Sequence, residues 1–263
     1  MDQIDSLLEY KAIWIASIAF TLLVLERVFP KARPLAGARL RTLGQNAWRL
    51  AKNFGLLLLN AGLSPSLVIP ISAMAATHAL GWRPEWWSGG TGLVADLVIL
   101  DCWIYWWHRA NHELPFLWRF HEIHHLDEFL DASSALRFHF GEVAISAVVR
   151  ASVIWLLDLP LSSVVVFEIC VLTMALFHHS NVALPGWLER ALSKVLVTPS
   201  IHWVHHHAIR ADTDSNYANI MSVWDIIFGS RSNTSRWNDM PIGVEHCQDE
   251  GLFGLLFRPF RNR

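Results

Sequence analysis

The sequence predicts an all-α integral membrane protein, with about four to five membrane-embedded helices and a cytoplasmic helical cap carrying clustered histidines. Three observations predict it. Apolar residues make up 53% of the 263 positions and charged residues only 17%, where about 25% charged is usual, and the apolar residues are gathered into long runs. Histidine numbers fourteen, mostly in clusters at helical spacing. Basic residues without acids fill one early segment, which orients the spans.

Asp2, Asp5 and Glu9 precede the first basic residue, the reverse of a signal-peptide start, so residues 11–29 read as an uncleaved span ending before Pro30. Glu26 and Arg27 are expected at the interface or snorkelling to it. Residues 30–53 hold Lys31, Arg33, Arg39, Arg41, Arg49 and Lys52 and no acid, which places this segment in the cytoplasm. Residues 53–82 contain no Lys, Arg, Asp or Glu and form a second span, in which Pro65 and Pro70 imply a kink or break. The stretch "GWRPEWWSGG" turns on the outer side.

A third span, 91–107, contains Asp96 and Asp101. Each costs about 2.5–3.5 kcal/mol at mid-membrane, so both should face the bundle interior. Asp101, Tyr105 and His108 share a helical face, so Asp101 either supports a site at His108 from one turn below or makes a polar contact between helices. Trp103, Tyr105, Trp106 and Trp107 read as an aromatic belt that leaves His108 just beyond the cytoplasmic interface. Two further apolar runs, 143–157 and 161–177, form a hairpin about Leu159, which brings Arg150 and Glu168 to equal depth and predicts that they pair. The last residues, "GLFGLLFRPFRNR", either anchor at the interface or pack back on the domain.

Charge excludes some functions. A net charge of -2 gives no attraction to nucleic acid. Cys102, Cys170 and Cys247 are odd in number and lack CxxC spacing, so neither a disulfide framework nor a cysteine metal site is implied.

The histidines carry the chemistry. His108 and His112 are spaced i,i+4; His121, His124 and His125 are spaced i,i+3,i+4, and His202, His205 and His206 repeat that pattern. On helices each set falls on one face. His207 lies roughly 140° round from His202 and is excluded. Topology puts all three clusters on one side of the membrane. Eight imidazoles are enough for two metals with open positions, and His139 with one of His178 or His179 brings the set to ten. Imidazole suits iron, zinc, copper and nickel alike. A competing pattern is H-E-x-x-H over His121, Glu122 and His125, which would make a membrane zinc hydrolase with Glu122 as base. It has no third ligand at a metzincin spacing and leaves the other clusters unexplained. A metal carrier would need polar residues along the spans, for which Asp96 and Asp101 are slender support.

In order along the chain, "HRANH", "HEIHH" and "HWVHH" resemble the histidine boxes HxxxH, HxxHH and HxxHH of the fatty acid hydroxylase (sterol desaturase) superfamily. The likeness continues through "ALRFH", "HSN" at 179–181, "VTPSIHWVHH", "DSNY" at 214–217 and "WDIIFG", and covers about residues 95–230. It implies a non-haem site of two iron ions, which zinc can occupy in a purified form, using O2 and external electrons to hydroxylate or desaturate a C-H bond of a lipid. Relatives handle fatty acids, sterols, alkylglycerols and carotenoids. The implied ligands are His108, His112, His121, His124, His125, His202, His205 and His206, completed by His139 and His179, the latter favoured by "HSN". No catalytic residue separate from these ligands is expected. Glu113 is an additional supporting candidate, as are Asp214, Asn216 and Tyr217, placed to hydrogen-bond ligand imidazoles and fix their tautomers. Phe140 stands where Pro often follows "RxH", Trp203 where Arg is frequent, and Ala218 where Gly usually follows "NY".

The expected organisation is N-terminal transmembrane helices over 1–90, a fatty acid hydroxylase-like catalytic domain over 91–235 and a C-terminal tail over 236–263. No electron-transfer domain is appended, so electrons must come from a separate reductase, ferredoxin, cytochrome or small reductant. In a bacterium the chain would sit in the plasma (inner) membrane, with its active site on the cytoplasmic side.

Overall fold

The computed structural model of the protein describes residues 2–32 and 43–261. Arg33, Arg39 and Arg41 of the basic segment, and Arg263, lie outside the described residues. Within them every regular element is helical and strand pairing is limited to isolated bridges, such as Pro30 with Val182.

Helix α1 (Asp2–Val28) ends just before Pro30, whose missing N-H cannot continue it. Helices α2 (Leu43–Leu63) and α3 (Ile69–Thr77) are joined by one π-helical turn, Ser64–Val68. That turn absorbs the lost donor of Pro65, so the proline distorts the span without ending it. Helix α4 (Gly89–Glu113) meets α5 (Pro115–His125) at Leu114, whose ψ of 114° is the extended conformation a following proline imposes. Helices α6 (Phe140–Leu157) and α7 (Leu161–His179) form the expected hairpin, turned by Asp158 at φ 53°. The short helices α8 (Gly186–Leu192), α9 (Pro199–His205), α10 (Arg210–Thr213), α11 (Val223–Ile227) and α12 (Leu252–Phe257) follow. Histidines close both α4 and α7, while α6 starts beside His139, so these three helices deliver polar residues to one end of the bundle.

Three segments, Gly44–Thr77, Phe140–Leu157 and Leu161–His179, are long and apolar enough to cross a membrane. Their outward side chains include Leu58, 71% exposed, and Val148, 57% exposed. Such surface suits lipid and would be costly in water. Charges within this layer are matched. Arg150 Nη1 lies 2.8 Å from Glu168 Oε1, as the hairpin depth predicts, and Lys11 of α1 pairs with the same carboxylate. Asp96 receives both ends of the Arg83 fork at 2.9 Å, the Trp87 indole at 2.9 Å and the Ser163 hydroxyl at 2.7 Å.

Three expectations are corrected. Glu26 does not snorkel: it is buried and accepts the backbone N-H groups of Ala132 and Asn181, both at 3.1 Å. Tyr105 and Trp107 are core residues rather than an interfacial belt; Tyr105 stacks on Phe228 at 5.0 Å, and Trp106 alone of that pair's neighbours turns outward. Arg49 and Lys52 are not free loop charges, because α2 begins before them and buries them against acids from later in the chain. Arg49 bonds Asp127 at 2.8 Å and also Asp131, while Lys52 pairs with Asp249.

The triad of Lys11, Glu168 and Arg150 ties α1, α7 and α6 together. Glu168→Ala should lower stability by about 3 kcal/mol or more, because two cations lose their counter-charge in an apolar layer. Replacing Arg150 by Ala as well should recover part of that loss. Thermal unfolding in detergent measures both; equal losses in the single and double variants would contradict the triad.

Candidate metal centre

The helical spacing of each box decides where its imidazoles point. Neighbouring residues on a helix diverge by about 100°, whereas i and i+4 nearly align. Accordingly His108, His112, His121, His125 and His205 converge in one buried group, and His124, His179, His202 and His206 in a second; within each group the ligand atoms lie within 4.8 Å of one another. Adjacent histidines therefore serve different groups. The rings of His124 and His125 stand at 87° to each other, and those of His205 and His206 at 85°. Each group draws on α5 and α9, so neither box makes a site alone.

Five imidazoles are fixed from behind. Nδ1-H donates to the carbonyl of Tyr217 from His108 (2.7 Å), of Arg137 from His124 (3.2 Å), of Ala175 from His179 (2.7 Å) and of Ser215 from His205 (2.6 Å). His121 Nδ1 donates to Glu142 Oε1 at 2.8 Å. These bonds set the tautomer and leave each Nε2 lone pair facing inward. Glu142 reaches His121 because α6 starts tightly against α5: a Cβ on Gly141 would lie 2.6 Å from the Phe120 ring.

The donor set fits a bound cation. In the second group Nε2 of His179 lies 3.0 Å from Nε2 of both His124 and His202, and His202 lies 3.1 Å from His206. His124 and His179 both carry their proton on Nδ1, so two bare lone pairs face each other, a repulsive contact unless a cation lies between them. Nitrogens bound to one ion at ~2.1 Å each would stand about this far apart, so the spacing fits donors shared by a single cation. In the first group Nε2 of His121 and His205, and both ring nitrogens of His112 and His125, are buried without a hydrogen-bond partner. Burial draws His124, His125, His202 and His206 well below the usual histidine range, and neighbouring imidazoles draw them further. Burial brings His205 down to about 3 against the opposing bond to Ser215. Neutral imidazoles are the form that binds metal.

Several expected residues stand elsewhere. His139 joins neither group: its Nδ1 accepts the Gly141 N-H at 2.9 Å, capping α6, and its Nε2 donates to the Leu256 carbonyl at 3.1 Å. Both nitrogens are thus in use. Asp101 does not reach the imidazoles; it accepts the Ile220 and Met221 N-H groups (3.2 and 3.1 Å) and the Trp224 indole (2.8 Å), holding the 220–224 segment that leads into α11 against α4. Glu113 is half exposed and pairs with Arg109 at 2.7 Å, an ordinary surface i,i+4 pair. Asn216, at φ 53°, ties α9 to the following loop through the Ile201 carbonyl and the Ser232 N-H. Asp214 does lie beside the site, with Oδ1 3.4 Å from His112 Nδ1. Tyr217 supports it through its carbonyl, and Asp225 fixes that peptide by accepting the Ala218 N-H at 3.2 Å, together with the preceding Tyr217 N-H at 2.7 Å. The sequence reading missed Glu142, whose signal was an acid without a visible partner at the start of an apolar run.

Glu122 is buried and held by Arg258, which also binds Glu250. The C-terminal segment thus packs back on the domain, with Leu255 buried, while Phe253, Phe257 and Phe260 remain exposed.

The all-helical scaffold, with three segments long and apolar enough to cross a membrane, closes over two buried all-imidazole groups, each able to hold a metal ion. A family profile described as fatty acid hydroxylase matches residues 93–230, more than half of the chain, and the protein belongs to that family. It is similar to ornithine lipid hydroxylase OlsE of Rhizobium tropici, 26% identical over 259 residues, which span 98% of this chain and 77% of that relative. It also resembles alkylglycerol monooxygenase of Danio rerio, 32% identical over 152 residues (55% of this chain, 31% of the relative), and of Homo sapiens, 30% identical over 158 residues (57% and 32%). The chain thus spans about a third of the length of those monooxygenases. No solved structure matches it.

Glu142→Ala should weaken metal retention by about 10–100-fold, the usual cost of losing an outer partner of a ligand histidine; chelator competition checks this. The depressed imidazoles also set a pH dependence. From about 6.5 down to about 3 the unfolded chain binds more protons at His205 than the folded one, so folded-state stability is full above that window and declines as pH falls through it. Metal-free protein should therefore unfold at a lower temperature at pH 5 than at pH 7.5, and a flat profile would contradict the burial of neutral histidines.

Proposed function

We propose that the protein is a membrane-bound oxygenase that holds two iron ions, one in each histidine group, and uses O2 with electrons from a separate donor to hydroxylate or desaturate a C-H bond of a lipid. The convergence of nine buried imidazoles into two groups carries this reading. The ligands proposed are His108, His112, His121, His125 and His205 for one ion and His124, His179, His202 and His206 for the other. Iron bound there supplies the strong oxidant that an unactivated C-H bond requires.

The protein's own residues prepare the site. Backbone carbonyls and Glu142 hold five imidazoles in one tautomer, so ligation needs little reorganisation. Tyr217 lies 5.3 Å from the His112 ring and 6.0 Å from His108, and together with Trp118, 5.1 Å from His112, walls off water on that side. The apolar flanks of α2, α6 and α7 suit delivery of an acyl or alkyl chain from the bilayer. The names of the relatives favour an amphiphilic lipid with a polar head at the interface, such as an ornithine lipid or an alkylglycerol. We assign residues 91–235 to the catalytic unit. Arg49, at the described end of the basic segment, bonds Asp127 two residues beyond His125; with the rule that positive charge is retained inside, this supports a cytoplasmic histidine end.

The zinc-hydrolase alternative has less support. A general-base Glu122 would need a free carboxylate beside the ion, whereas Arg258 engages it.

Purified protein reconstituted with lipid should hold about two iron ions per chain and form oxidised lipid only with iron, O2 and an electron donor present. Glu122→Gln should keep metal and turnover, with lower stability. Full zinc occupancy without iron-dependent turnover, or loss of activity in Glu122→Gln with metal still bound, would contradict the reading.

A further inference from the structure

The C-terminal segment has one docked face and one bare apolar face. On the docked face Leu255 is buried, the Leu256 carbonyl accepts from His139 at 3.1 Å, and Arg258 holds Glu122 and Glu250. On the other, Phe253, Phe257 and Phe260 are 78%, 63% and 61% exposed. Phe253 and Phe257 are spaced i,i+4, so they project from the same side of α12. No acid occurs from 251 to 263 to make that side polar. A contiguous apolar face of this kind marks a surface that something covers.

Depth identifies the cover. On α2, Arg49, Lys52 and Asn53 are buried against the cap that carries the histidines, whereas Phe54 and Leu58 point outward, and no charged residue follows until Arg83. Such a change from polar to apolar along a crossing segment is where the bilayer begins. Helix α12 lies against that boundary, because a Cβ on Gly55 would stand 3.1 Å from the Leu252 side chain. The band continues around the cap: Phe260 lies 5.9 Å from Phe120, which lies 5.5 Å from the exposed ring of Phe116. We propose that Leu252–Phe260 is an interfacial anchor, with its three phenylalanines inserted among the lipid acyl chains of the leaflet at the histidine end. Packing back on the domain and anchoring are then the two faces of one element. Through His139 and Arg258 it seats α5 and the start of α6 at the membrane surface, whatever the histidine groups bind.

The test places a nitroxide label at Phe253→Cys or Phe257→Cys, one at a time, in the full chain with Cys102 and Cys170 replaced by Ala and Cys247 by Ser, reconstituted into phosphatidylcholine vesicles. Val148→Cys, on the outward side of α6, is the lipid reference, and His246→Cys, largely solvated, is the water reference. Electron spin resonance saturation is recorded with O2, which concentrates among acyl chains, and with a water-soluble nickel chelate. The anchor predicts that both labels respond to O2 as at 148 and are shielded from nickel, at a depth of ~5–10 Å below the head groups. Nickel accessibility equal to that at 246 would overturn it. Shielding from both reagents, with spin-spin broadening that disappears on dilution with unlabelled chain, would also overturn it and would assign the face to a second copy. Phe260→Cys, beyond the helix, gives the same reading should a label on α12 disturb its fold.

Discussion

The structure depends on one electrostatic constraint: many neutral imidazoles are buried with their lone pairs turned toward one another. Nε2 atoms of His124 and His179 at 3.0 Å repel, and a cation bound between them would convert the repulsion into ligation. Everything around the groups serves to keep the nitrogens in that position. The carbonyls of Tyr217, Arg137, Ala175 and Ser215 and the carboxylate of Glu142 orient the rings, and the helical offset between adjacent residues divides the second and third boxes between the two groups.

Around the centre lies a shell of buried ion pairs that fastens the spans to the segments carrying the histidines. Burial alone would raise the Asp127 carboxyl, yet Arg49 and Arg137 hold it at about 2. Arg137 also pairs with Asp249 and donates its Nε-H to the Ile123 carbonyl at 2.7 Å, while its own carbonyl orients His124. One residue therefore links the C-terminal segment and α5 through its side chain and a histidine of the second group through its carbonyl. Arg258 performs a similar task at Glu122. Apolar packing of Leu56, Ile123, Leu126 and Leu255 reinforces the same junction.

Much of this is legible in the sequence because it is local. Box spacing places the histidines, proline places the breaks at Pro30 and Pro115, and equal depth in a hairpin pairs Arg150 with Glu168. What escapes is set by tertiary contacts. Arg49 and Lys52 look like loop charges because their acids come from Asp127, Asp131 and Asp249, far along the chain. Asp101 shares a helical face with His108, yet the loop at 220–224 supplies three donors that claim it first. His139 follows a family signature, but a free N-H at the start of α6 and the Leu256 carbonyl take both its nitrogens. Backbone carbonyls such as Ser215 have no sequence signature, so most of the support behind the ligands is invisible until the chain is folded.

The central claim is that these histidines form two metal positions rather than one. Diffraction from crystals of iron-loaded protein, recorded across the iron absorption edge, tests it most directly. Two anomalous peaks per chain are predicted, one enclosed by His108, His112, His121, His125 and His205 and one by His124, His179, His202 and His206. A single peak, or two peaks away from these imidazoles, would contradict the account.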